Sequence, residues 1–468
     1  MFRKSVVIMF VFILAFHPIV TAQNDVDERL SGSYVCDIDG WRCVHIEGEP
    51  YKRGFQHGYL LGENITYNIE VSCRGNSDQW NAIRANAVAY WHRVPLEYKQ
   101  EIRGIADGVG ASGHSLQWAN RDVDWVDILS LNCIVDTWYK MGWDLSSALR
   151  EGGCSAFAAA GSATEDGGIV IGHNTWTTYV GVETNYFMIE IRPKRGYDIT
   201  MQAPAGCIWS MMDWYINGAG LVVTETTLGR GPYDETGMPI FVRAREAVQY
   251  SDNIDQFVAW MTTDNNGAYS NDWLVADAKT GEIAILELGS RDVYSLKRTF
   301  DGFFGSCNFA WNETVRDEQE AREFTQDGCY PRWIRWAELS DQHYGNITVE
   351  TGKIFLADHF DTQTHSINPS SATLCGHSEL NPYRNRPSGA IDGKVTNSSM
   401  ALNMMMWARR GHPCGMDFNA TDFLAQHPQY EEYEPYLADM PAYDWTIIGP
   451  REIEGMEQEL NVEDVTQE

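Results

Sequence analysis

The residues best suited to covalent chemistry sit at Gly153-Cys154-Ser155. A cysteine thiolate is a nucleophile, and an unperturbed thiol titrates near about 8.5, so a site that uses one must help it lose its proton. Glycine before the cysteine lets the sulfur approach the preceding carbonyl. A cut between Gly153 and Cys154 frees an α-amine beside the thiol. Such an amine titrates at about 7.7–8.0 and can act as a local base. The same residue types also suit a buried or disulfide-bonded cysteine, and both readings stand at this point. Other constellations are weaker. Asp358-His359-Phe360-Asp361 with His365 has ligand-like types but no metalloprotease spacing, and reads as a helix end or loop. None of the ten cysteines forms a Cys-x-x-Cys pair, which disfavours a zinc ribbon or a thioredoxin site. No glycine-rich phosphate loop precedes a helix, and there is no Gly-x-Ser-x-Gly elbow. No metal and no cofactor is expected.

Cys154 lies where a helical region gives way to strands. From about residue 52 to 150 apolar residues recur at three-to-four spacing, over 53–70, 79–91, 96–109 and 121–139. The stretch 154–164, a turn at Glu165-Asp166-Gly167-Gly168 and the run 169–173 read as a hairpin. Strand-like runs follow at 186–191, 199–203 and 220–227, with a second strand–turn–strand over 273–288. Helical spacing marks 240–250, 254–261, 332–339, 351–357 and 399–409. Paired strands with runs of helices define an α+β class.

The chain has 468 residues, enough for a large core. With 35 basic and 65 acidic residues it carries a net charge of −30, which disfavours nucleic acid and a polybasic hold on anionic membranes. A basic start at Arg3-Lys4, an apolar run over 6–16 and the small residues Val20 and Ala22 make residues 1–22 a signal peptide. Sequons at Asn64, Asn312, Asn346, Asn397 and Asn419 then point to a glycoprotein, secreted or lysosomal. An oxidising route permits disulfides, and Cys36 with Cys43, flanking a short loop, is a candidate pair. No later run is long enough to span a membrane. Residues 452–468 hold seven acidic and no basic residues and read as a solvated tail.

Several motifs occur in one order. Gly153-Cys154-Ser155-Ala156 is followed by Asp166-Gly167-Gly168 and by His173-Asn174-Thr175-Trp176. Glu225-Thr226-Thr227, Tyr269-Ser270-Asn271-Asp272-Trp273, Leu380-Asn381-Pro382 and Gly389-Ala390-Ile391-Asp392-Gly393-Lys394 come next, and the chain finishes with Met440-Pro441 and Trp445. The set resembles the phospholipase B-like family and the neighbouring penicillin acyltransferase-like autoproteolytic group, both N-terminal nucleophile hydrolases. Tyr51-Lys52-Arg53-Gly54, His57-Gly58, Ile105-Ala106-Asp107-Gly108 and Asn217 look more like the acyltransferase side.

The resemblance implies a four-layer αββα sandwich, self-cleavage before Cys154 and hydrolysis of an acyl bond. It implies three segments: the signal peptide 1–22, a helical fragment 23–153 that is cut from the core yet stays on it, and a catalytic domain 154–468. It places the nucleophile at Cys154 and site residues at His173, Trp176, Thr227, Asn308 and Arg332. Asn308 suits the donation of an amide N–H to an oxyanion. Arg332 suits holding the thiolate and biasing the new amine towards neutrality. His173 is placed to shuttle a proton or orient the amine, Trp176 to wall a pocket, and Thr227 to bond the precursor or nucleophile. The expected substrate is a phospholipid or another acyl compound. An amidase or acyltransferase acting on N-acyl compounds is the alternative, and a non-catalytic binding glycoprotein on the same fold is the third reading.

Overall fold

The computed structural model describes residues 27–142, 153–319, 329–381 and 385–450. The signal peptide, the acidic tail, Gly152 and Pro382 lie outside the described residues.

Among the described residues, two sheets carry the architecture. The larger runs in the order Tyr34–Ile38, Trp41–Gly48, Phe187–Pro193, Ile199–Gln202, Trp214–Asn217, Leu221–Thr227, Asn271–Asp277, Glu282–Leu288, Tyr294–Thr299. The smaller runs Gly302–Ser306, Ser155–Ala160, Val170–Asn174, Asp392–Asn397, Met406–Arg410, Thr446–Ile448. Pairing is antiparallel except between Trp41–Gly48 and Phe187–Pro193, which run parallel.

The period-2 alternation of a strand assigns its side chains to two faces. On Ser155–Ala160, Ala156, Ala158 and Ala160 pack between the sheets against Trp214, Ile216, Val222, Leu274 and Ile285. Phe157 and Ala159 point the other way, to Trp336, Leu339, Phe355 and Leu356 of the outer helices Cys329–His343 and Val349–Leu356. The far face of the larger sheet, with Val44, Ile189, Met201, Val223, Val275 and Leu286, is covered by the helices from Pro50 to Met141 and by Ile240–Tyr250 and Ile254–Thr262. Helix, sheet, sheet, helix is the expected four-layer αββα order.

The hairpin at the turn 165–168 is present, as Ser155–Ala160 against Val170–Asn174. Ile240–Tyr250 is the expected helix. Two differences matter. The segment 23–153 is not only helical: Tyr34–Ile38 and Trp41–Gly48 form one edge of the larger sheet, with Cys36 directly opposite Cys43. The stretch 399–409 is not a helix. A single turn, Ser398–Ala401, leads to the strand Met406–Arg410 on Asp392–Asn397. Its Met406 and Ala408 are buried while Trp407 lies on the other face, which is the strand period. Among the described residues no helix is long and apolar enough to cross a membrane.

Two motifs on the acyltransferase side turn out to be packing devices. A Cβ on Gly54 would lie 2.1 Å from the Glu101 oxygen, and one on Gly58 would lie 2.0 Å from the Ile105 oxygen. The helices Pro50–Leu60 and Leu96–Ala111 therefore cross backbone to backbone. His57 is buried there and its Nε2 accepts the Gly206 N–H at 3.0 Å.

Candidate active site

Cys154 precedes the first strand of the smaller sheet and is 4% exposed. Its Sγ lies 3.7 Å from Oδ2 of Asp213. One thiol, one ring nitrogen of His173 and one carboxylate oxygen of Asp213 all lie within 4.8 Å of one another. Three separate strands converge to make this cluster. Val170–Asn174 brings His173 opposite Ala156, and Asp213 stands at the entry to Trp214–Asn217 in a left-handed conformation, φ 62°. Asp tolerates that region better than most side chains, because its short polar group bonds locally.

Arg332 comes from the helix Cys329–His343 and is 2% exposed. Its Nη1 donates to the Cys154 carbonyl at 2.8 Å and to Ser155 Oγ at 3.2 Å, and lies 3.4 Å from the Gly153 carbonyl oxygen. Its Nη2 donates to Asn308 Oδ1 at 3.1 Å and to the Cys307 carbonyl at 3.3 Å. The guanidinium thus holds the backbone on both sides of the 153–154 peptide bond, where the sequence reading had it on the sulfur. The Trp176 ring stacks under it, 4.4 Å from Cζ, and donates Nε1–H to Asn174 Oδ1 at 3.1 Å. Gly153 is enclosed: a Cβ there would lie 2.8 Å from Arg332 Nη2, 3.1 Å from Asn308 Oδ1 and 3.2 Å from Trp176.

Asn308 adopts φ 68° just past Gly302–Ser306. Its Nδ2 donates to the Thr227 carbonyl at 2.7 Å, so one of its two amide hydrogens is taken. Thr227 ends its strand beside it, with Oγ1 donating to the Tyr269 hydroxyl at 3.2 Å. All six residues singled out in the sequence therefore gather around the 153–154 bond, Thr227 through Asn308.

The electrostatics favour neutral groups. Burial, then the nearby carboxyls of Asp213 and Glu225, push the Cys154 thiol well above its ordinary range. Burial, then the Lys394 ammonium, hold His173 well below its ordinary range, so its ring is neutral. Burial raises Asp213 and Glu225, and these two carboxyls face each other closely enough to titrate together. Beneath them Lys394 is fully buried, paired with Asp392 at 2.8 Å and bonded to Thr175 Oγ1 at 2.8 Å and Gln202 Oε1 at 2.6 Å.

Asp213, Glu225 and Tyr269 escaped functional notice in the sequence. Glu225 and Tyr269 lay inside quoted motifs. Asp213 has no motif around it, and its only mark is an acidic residue inside the apolar run Ile208–Ile216. Lys394 and Asn174 also sat in motifs without a role; Asn174 Oδ1 accepts the Ser155 N–H at 3.0 Å and aligns the chain just after Cys154.

The profile of the Phospholipase B family matches residues 63–286. Phospholipase B-like 1 of Bos taurus is 23% identical over 299 aligned positions, covering 58% of this chain and 53% of its own. Putative phospholipase B-like 1 of Caenorhabditis elegans is 23% identical over 511 aligned positions, covering 91% and 84%. The chain spans about half the length of the first curated relatives it matches. A solved structure of a Caenorhabditis elegans N-acylethanolamine-hydrolyzing acid amidase ortholog matches 52% of this chain and 92% of its own, at 13% identity and a TM-score of 0.32. By its sequence the chain is similar to the phospholipase B-like proteins.

Proposed function

We propose that the chain cuts itself between Gly153 and Cys154 and then hydrolyses acyl bonds of phospholipids, with Cys154 as N-terminal nucleophile. The observation that carries this reading is the meeting of Cys154, His173 and Asp213 at one end of the 153–154 peptide bond, with Arg332 bonded to the Gly153 and Cys154 carbonyls on either side of it. In the first step Asp213 accepts the thiol proton and Sγ attacks the Gly153 carbonyl carbon. Arg332 Nη1 steadies the negative charge on that oxygen. The C–N bond breaks, the proton passes to the Cys154 nitrogen, and a thioester remains. Water hydrolyses it to the Gly153 carboxylate and a thiol with a free α-amine beside it.

In turnover the thiol attacks the acyl carbonyl of a lipid and the amine takes its proton. The second amide hydrogen of Asn308 serves the oxyanion. The alcohol leaves with a proton, and water releases the fatty acid. Burial of Cys154 supports the order of events, maturation first and substrate second. The family match supports a lipid ester. The leader-like start and the exposed sequons Asn346 and Asn419 support a secreted or lysosomal glycoprotein. The fragment 23–153 remains as a structural part of the domain 154–468.

Matured protein and its Cys154→Ala variant, incubated with phosphatidylcholine vesicles and with N-acyl amides, test the substrate class. Fatty acid released from the vesicles by the wild type alone is expected. Release from the amides only, or equal release by the variant, contradicts the phospholipase reading.

A further inference from the structure

Away from Cys154, four residues from three loops bring their side chains together. His359 follows the helix Val349–Leu356, Cys375 and His377 flank Gly376 just before the turn Ser378–Leu380, and Cys414 follows the strand Met406–Arg410. One ligand atom from each of His359, Cys375, His377 and Cys414 lies within 4.8 Å of the other three. His377 Nε2 is 3.4 Å from Cys375 Sγ and 3.5 Å from Cys414 Sγ. In a tetrahedral zinc site, with bonds of about 2.3 Å to sulfur and about 2.0–2.1 Å to nitrogen, neighbouring ligand atoms stand about 3.3–3.8 Å apart. The two separations from His377 are those of such an edge.

The support around the cluster fits as well. His377 turns its other ring nitrogen, Nδ1, to Glu379 Oε1 at 2.7 Å. Glu379 in turn accepts the Tyr179 hydroxyl at 2.8 Å and lies 3.6 Å from His412 Nε2. A carboxylate behind a histidine fixes the tautomer and aims Nε2 as a ligand. His359 Nε2 is buried and makes no hydrogen bond. His377, Glu379 and His412 also stand close, but the direct 2.7 Å bond between His377 and Glu379 leaves no room for an ion there. Asp358, next to His359, is engaged by Arg335 at 2.8 Å, and so stands outside the set.

We propose that His359, Cys375, His377 and Cys414 form a structural site for one zinc ion. The four protein ligands close the tetrahedron, so the ion has no position for substrate. Its effect is on the neighbouring loop. Leu374 offers its carbonyl to Asn174 Nδ2 at 2.8 Å, and Gly376 packs so tightly on Trp176 that a Cβ there would lie 2.1 Å from the ring. The ion therefore clamps the loop that backs Trp176 and Asn174. The ligand spacing, fifteen residues, then one, then thirty-six, follows no zinc motif, so only the folded chain reveals the set.

The test uses the purified full-length protein. Elemental analysis is expected to find one zinc per chain, and Co²⁺ exchanged into the site is expected to show thiolate-to-metal absorption. Cys375→Ser and His359→Gln are expected to lose at least nine-tenths of the metal. A Cys375–Cys414 disulfide in a non-reducing peptide map overturns the proposal, as does stoichiometric metal retained by both variants. If the variants fail to fold, the Co²⁺ spectrum of the wild type decides, and absence of thiolate absorption overturns it. These readouts need no catalytic activity, so they stand or fall apart from Cys154.

Discussion

Arg332 donates to the Cys154 carbonyl at 2.8 Å, and the same nitrogen lies 3.4 Å from the Gly153 oxygen. A planar, permanently charged fork holds this geometry, and a single ammonium on a flexible stem does not. Arg332→Lys is therefore expected to slow cutting of the chain by about 10²–10³, the usual cost of losing one oxyanion donor. Conversion followed on denaturing gels measures it, and an unchanged rate contradicts the role.

The second prediction separates two bases. Burial keeps the Cys154 thiol protonated, and Asp213 Oδ2 at 3.7 Å is the acceptor closest at hand. Asp213→Asn is expected to slow cutting by about 10²–10⁴, as loss of a positioned base does. Asp213 works only when ionised and burial raises its titration, so the rate is expected to climb as pH rises through that raised range. The Asn variant should flatten the profile. His173→Gln should leave cutting within about tenfold and depress lipid hydrolysis instead, because its role begins when the amine is free. Equal losses in both variants on cutting contradict this division.

The third concerns the N-terminal fragment. Trp41–Gly48 is paired with Phe187–Pro193 inside a sheet. Glu101, fully buried, binds Arg53 at 2.6 Å and Arg245 at 3.4 Å, one from each side of the cut. Asn132 donates to the Gly206 carbonyl at 3.0 Å and accepts the Ile208 N–H at 2.8 Å. The two pieces are expected to co-elute in native buffer and to part only in denaturant. Glu101→Ala takes the carboxylate partner from buried Arg245 and leaves Arg53 with Glu97, and should lower unfolding stability by about 3–5 kcal/mol. Fragments that separate without denaturant contradict this packing.

A fourth prediction is a pH effect on stability. Burial lowers the His57 pKa from 6.5 to about 4, while its Nε2 accepts the Gly206 N–H. The unfolded chain takes up the proton first as pH falls. The stability His57 contributes is thus present above 6.5 and is lost as pH falls towards about 4. The difference is worth about 3 kcal/mol. His57→Gln, which keeps an acceptor, should show a shallower loss between those limits in urea titrations. Parallel curves for the two proteins contradict it.

Regular periodicity made much of the fold legible. Ile240–Tyr250 alternates at helical spacing, and the Gly-Gly turn before Ile169 announces its hairpin. Met404-Met405-Met406-Trp407 has no clear period, and pairing with Asp392–Asn397 rather than local preference makes it a strand. Tyr34–Ile38 is only partly buried, so its alternation carries little apolar signal. At the site, the ordered motifs marked Cys154, His173 and Trp176. Asp213 reaches Cys154 from fifty-nine residues away, and only the sheet packing brings them together. Arg332 was visible as a charge, but whether it meets the sulfur or the carbonyls is a matter of side-chain direction.

The most direct measurement is intact mass and N-terminal sequencing of the purified full-length protein after incubation at acidic and neutral pH, beside Cys154→Ala. A new N-terminus at Cys154 in the wild type, with the variant uncut, is the expected result. An intact chain in both, or a cut at Cys154 in the variant as well, contradicts self-maturation by this thiol.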